Sequence, residues 1–130
     1  MSRPMSSRFS IALRVLFGLI AIGTTAPPAW AHAYPTVSVP NNGATLKESP
    51  REVRIQFTEG IEIAFSAITV TGPNKEVVSQ GKLRKLADDT LAIDVKALQP
   101  GNYTVEWQVL SVDTHVTDGV LRFNVAPGGK

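Results

Sequence analysis

Two histidines, His32 and His115, are all that the chain has, and each has neighbours that give it chemical meaning. Asp113 lies two residues before His115 in the run Ser111-Val112-Asp113-Thr114-His115. In extended backbone residues i and i+2 point to one face, so this carboxylate and imidazole can aim at a single point. His32 follows Ala29-Trp30-Ala31, a small-x-small pattern of the kind that a signal peptidase cuts. Cleavage after Ala31 makes His32 the first residue of the mature chain. An N-terminal histidine chelates a metal as a ring, through its α-amine and its imidazole, and groups of both types shed protons near neutrality. His115 then adds a further nitrogen and Asp113 an oxygen. Tetragonal nitrogen and oxygen sites suit Cu(II), which also tops the divalent affinity order. Zinc accepts the same residues but prefers a tetrahedron. The alternative pattern Ala31-His32-Ala33 would place the cut before Tyr34 and discard the histidine.

The rest of the composition narrows the field. The chain has 130 residues, enough for one domain. It has no cysteine, hence no disulfide framework, thiolate site or cysteine nucleophile. Its methionines, Met1 and Met5, lie in the N-terminal segment, so the mature chain has no soft ligand for Cu(I). The formal charge of +2 includes Arg3, Arg8 and Arg14. Without those three, ten Lys and Arg face 11 Asp and Glu. No basic run or aromatic and basic interleaving follows, which argues against nucleic acid as a partner. Residues 1–31 read as an export signal. The three arginines form a positive region, Val15 to Ile22 an apolar one, and Ala29 and Ala31 flank the cut. The apolar run is short for a membrane span.

The elements that must position the histidines read as strands. From His32 the chain has 99 of the 130 residues, about the size of an immunoglobulin-like sandwich. Short alternating stretches recur at Thr36 to Val39, Glu52 to Phe57, Ala64 to Val70, Val77-Val78 and Leu91 to Val95. Pro40, Gly43, Pro50, Gly72-Pro73-Asn74 and Asp88-Asp89 separate them as turns. Lys82 to Ala87 fits a short helix or a strand. The longest alternation runs from Thr104 to Leu110, with Tyr103, Val105, Trp107 and Val109 on one face. Leu98-x-Pro100-Gly101-x-Tyr103 before it resembles a tyrosine corner. Val120 to Val125 closes the series. This pattern predicts an all-β, immunoglobulin-like antiparallel Greek-key β-sandwich of about seven strands over residues 32–130. One conflict stands out. Asp113 and His115 share the parity of the inward face, so the strand must end or bulge near Ser111, or the pair must sit at the open rim.

Several blocks recur together: His32 after an export signal, Pro50 through Gln56-Phe57-Thr58-Glu59, then Leu98-x-Pro100-Gly101-x-Tyr103-x-Val105-x-Trp107. The last is Val109-x-Ser111-x-Asp113-x-His115, with Gly119 and Phe123 beyond it. In this combination, across essentially all of the mature chain, the sequence resembles the CopC family of periplasmic copper-binding proteins. The resemblance implies a Greek-key sandwich binding one Cu(II) per chain. His32 would give its amine and imidazole, His115 its imidazole and Asp113 a carboxylate oxygen, with Glu59 as an outer or weak contact. It implies a non-enzymatic carrier or buffer in copper homeostasis and resistance, with an inner-membrane copper transporter of the CopD type as a partner. The methionine-rich Cu(I) site of some members is absent, so a Cu(II)-only protein is expected.

Two other readings remain open. Copper-dependent monooxygenases of the histidine-brace type also pair an N-terminal histidine with a second one on an immunoglobulin-like core. A 99-residue chain leaves little room for their polysaccharide-binding face, and Asp113 would occupy a position that oxygen needs. Alternatively, the domain is a metal-free interaction module and both histidines are incidental.

Overall fold

The computed structural model describes Gly23 and residues 32–128. Apart from Gly23, the export signal read over residues 1–31 lies outside the described residues. Among these, eight strands form: β1 (Pro35–Val39), β2 (Ala44–Leu46), β3 (Glu52–Phe57), β4 (Ile61–Thr71), β5 (Ser79–Ala87), β6 (Thr90–Val95), β7 (Gly101–Ser111) and β8 (Val116–Val125). Alternation is clearest in β3, which buries Val53, Ile55 and Phe57 and exposes Arg54 and Gln56. Lys82 to Ala87 is strand, not helix, and belongs to β5.

The strands make two four-stranded sheets, one in the order β1-β3-β6-β5 and the other β2-β8-β7-β4. The count of about seven is corrected to eight by β2. Its three residues pair in parallel with β8 at the sheet edge, Ala44 opposite Phe123 and Leu46 opposite Val125. So short an edge strand carries no alternation to read. The other pairings between named strands are antiparallel.

The core lies between the sheets. Val53, Ile55, Phe57, Leu91, Ile93 and Val95 face it from one side. Ile68, Val70, Tyr103, Val105, Trp107, Val109, Phe123 and Val125 face it from the other. The Tyr103 hydroxyl donates to the Gln99 carbonyl at 2.5 Å, closing the tyrosine corner, and its ring stacks on Phe123. From there β7 and β8 pair without interruption over ten residue pairs, from Gly101 with Val125 to Leu110 with Val116. This ladder carries the chain from the corner at one end of the sandwich to the Ser111–His115 segment at the other.

Gly119 sits opposite Trp107 in that ladder. A Cβ there would lie 2.5 Å from Cζ2 and 2.8 Å from Cε2 of the indole. The indole cannot retreat, because Trp107 is 5% exposed and packs edge-on against Phe57 with ring centres 5.4 Å apart. Overpacking of this kind costs about 1–3 kcal/mol. Replacing glycine in a strand returns only about 0.5–1 kcal/mol. Gly119→Ala is therefore expected to lower unfolding free energy by about 1–2 kcal/mol in a denaturant melt; a neutral or stabilising result would contradict this packing.

Candidate metal centre

The β7–β8 connection resolves the conflict of parity. β7 ends at Ser111, which is fully buried. Val112, Asp113 and Thr114 then form a three-residue hairpin loop. Thr114 N–H donates to the Ser111 carbonyl and Ser111 N–H donates to the His115 carbonyl, both at 2.9 Å. Thr114, the last loop residue, has φ of 71°, the left-handed position that such loops require. A β-branched residue there is unusual and strained. Its hydroxyl donates to the Asp113 carbonyl at 2.6 Å. The strand thus ends at Ser111, and Asp113 and His115 stand at the rim with exposed side chains.

Asp113 is tied to its own turn. Its Oδ1 accepts the Ser111 hydroxyl and, at 3.4 Å, the His115 N–H; it lies 3.3 Å from His115 Nδ1. The Ser111 hydrogen bond is the main influence holding the Asp113 carboxyl below the usual carboxylate range, followed among the favourable ones by the bonds from His115. The geometry makes Asp113 a brace for the imidazole, with Nδ1 of the ring turned to the carboxylate.

His32 arrives from the other end of the chain. Its ring and that of His115 have centres 5.4 Å apart, at 89° to each other. A metal bonded to one nitrogen of each ring at about 2 Å would hold the centres roughly 4.5–6 Å apart, so little movement is needed. The backbone leading to it is held by hydroxyls. Thr58 Oγ1 donates to the His32 carbonyl at 3.2 Å and accepts the Tyr34 N–H at 3.1 Å. Thr117 Oγ1 donates to the Ala33 carbonyl at 2.8 Å, and Ala33 is fully buried. Tyr34 stands edge-on to His32, ring centres 6.1 Å apart.

Glu59, directly after Thr58, completes the group. Its Oε1 is closed off from water without a hydrogen-bond partner. Burial pushes its carboxyl above the usual range, as do the charge of Asp113 and a hydrogen bond shared with it; His115 and His32 pull the other way. The structure therefore brings all four of the residues singled out in the sequence, His32, Glu59, Asp113 and His115, to one end of the sandwich. Among the described residues, no three His, Cys, Asp or Glu side chains are arranged as a ready metal cage. Thr58, Thr117 and the role of Ser111 were not read from the sequence. Ser111 carried a signal, since a serine two residues before an aspartate commonly bonds to it in a turn.

Comparison with known proteins identifies the family. The CopC domain family model matches residues 36–126. Protein YobA of Escherichia coli K12 is 33% identical over 117 residues, covering 88% of this chain and 94% of YobA. Copper transport protein CutJ of Bacillus subtilis is 34% identical over 106 residues, covering 78% of this chain and 20% of CutJ. The crystal structure of CopC from Methylosinus trichosporium OB3b superposes with a TM-score of 0.70 at 28% identity, covering 76% of this chain and 98% of that one. With the family model spanning both sheets and the segments that carry Glu59, Asp113 and His115, the chain belongs to the CopC domain family.

Proposed function

We propose that the mature protein begins at His32 and carries a single Cu(II) in the periplasm, as a carrier or buffer in copper homeostasis and resistance. The observation that carries this reading is the meeting of the chain's two histidines, 83 residues apart in sequence, with ring centres 5.4 Å apart. The residues present fit the ion. Imidazole, amine and carboxylate are the donors that Cu(II) prefers, and Glu59 Oε1 is a buried acceptor that nothing else satisfies. In this reading His32 supplies its amine and imidazole, His115 an imidazole nitrogen and Asp113 a carboxylate oxygen. Glu59 is an outer or weak contact, and a bound cation would favour its ionised form. The burial of Ala33 supports a cut after Ala31, because a cut before Tyr34 would remove a residue of the core cluster. The mature chain has no methionine, which supports a Cu(II)-only protein.

The ion is cargo in this proposal and no reaction is catalysed. In this reading Asp113 takes a position that an oxygenase would keep open for its oxidant. A copper transporter of the inner membrane, of the CopD type, is the proposed partner. CutJ, of which this domain matches one fifth, is named a copper transport protein.

His32→Ala, His115→Ala and any N-terminal extension of His32 are each expected to weaken Cu(II) binding by orders of magnitude in a competitive titration. Glu59→Gln should do so less. Wild-type affinity in the extended protein would overturn the amine as a ligand. The electrostatics can be checked without metal. Asp113 raises the Glu59 pKa, second only to burial, so the folded state keeps the Glu59 proton at a pH where the unfolded chain has lost it. Deprotonation thus costs stability as pH rises through the ordinary glutamate range. Asp113→Asn should bring the Glu59 pKa down in an NMR titration of its carboxyl carbon; an unchanged midpoint would contradict the coupling.

A further inference from the structure

We propose that Thr58 and Thr117 are positioning residues that anchor the first residues of the mature chain and so hold His32 within reach of His115. This rests on the copper reading above and adds to it two side chains that donate nothing to the metal.

A chain terminus frays unless something ties it down. His32, Ala33 and Tyr34 precede β1, so no strand ladder holds them. Their three carbonyls and the Tyr34 N–H are bonded to threonines instead. Thr58 serves the segment three times. Its hydroxyl donates to the His32 carbonyl while accepting the Tyr34 N–H, which uses both capacities of one hydroxyl. Its own N–H donates to the Tyr34 carbonyl at 2.9 Å. Thr117 takes the carbonyl between, that of Ala33, at 2.8 Å. Three consecutive residues are therefore pinned, from β8 of one sheet and from the end of β3 of the other, with the Ala33 methyl buried between them.

The anchors also lie on the segments that carry the other site groups. Thr58 precedes Glu59, and Thr117 follows His115 by two residues. The two threonines thus tie the 32–34 segment both to the end of β3 and to the strand that follows His115. A ligand ordered before the ion arrives does not have to be ordered by it, and affinity rises by that saving. Thr58 is exposed and is not among the buried core residues, so burial does not account for it. Valine, which matches threonine in shape and lacks the hydroxyl, separates the two roles.

The test uses the protein beginning at His32 and the variants Thr58→Val, Thr58→Ser and Thr117→Val. Two quantities are read: hydrogen exchange of the Tyr34 amide in metal-free protein, and Cu(II) affinity with the electron paramagnetic resonance spectrum of the bound ion. In Thr58→Val the Tyr34 amide is expected to exchange at least about tenfold faster, while β7 and β8 amides keep their protection. Cu(II) affinity should fall about tenfold with an altered spectrum. Thr117→Val should weaken binding in the same direction, and Thr58→Ser should behave as the unmodified protein. Unchanged affinity in Thr58→Val overturns the positioning role even if exchange quickens, and unchanged exchange overturns the anchor itself. If Thr117→Val loosens the whole fold, Thr58→Val and its serine rescue decide. Failure of the unmodified protein to bind Cu(II) would overturn the copper reading, and with it any role for the anchor in holding a metal ligand. The Tyr34 amide would then still show whether the anchor exists.

Discussion

The β7–β8 ladder is the constraint on which the rest of the molecule depends. Its ten pairs run from the tyrosine corner to the hairpin rim. One fixed register therefore decides two things at once. It puts Tyr103, Val105, Trp107 and Val109 into the core, and it delivers Asp113 and His115 to the rim. A slip by one residue would turn every one of these side chains to the opposite face. Gly119 guards the register from within, because the Trp107 indole lies where any larger side chain would go.

At the rim, two carboxyl groups with opposite tendencies stand beside two imidazoles. Asp113 is held ionised by the Ser111 hydroxyl, so it remains an acceptor for His115 well into acid. Glu59, half-buried beside that charge, tends to keep its proton. The sum is a site with one firm negative charge and a second that a cation would draw out, since an ion placed among these groups favours the ionised form of both. Geometry and charge thus point to the same kind of cargo. The strained Thr114 fits this picture. Its left-handed backbone turns the chain tightly enough for Asp113 Oδ1 to reach the main chain and ring of the residue two positions on.

Much of this was legible in the sequence, and the gaps have physical causes. β3 and β7 alternate cleanly because they bury one face, and the tyrosine corner announces itself through a fixed spacing. β2 left no trace because three residues at a sheet edge need no alternation. Lys82 to Ala87 was ambiguous because β5 is an edge strand with most of its side chains in water, interrupted at Gly81 with φ of 74°. His32, Asp113 and His115 were readable as types and spacings, Glu59 only through the family resemblance, and the parity conflict correctly marked where the strand must stop. The anchoring threonines were not readable. Thr58 lies just after β3 and Thr117 near the start of β8, and only the sandwich topology brings their hydroxyls to the same short segment.

The central claim is that export processing creates the metal site by exposing His32. The most direct measurement is the intact mass, under native conditions, of the protein recovered from the periplasm with and without added Cu(II). The account predicts a chain that begins at His32 and gains the mass of a single copper ion. A chain that begins at Tyr34, or one that begins at His32 and gains no copper, would contradict it.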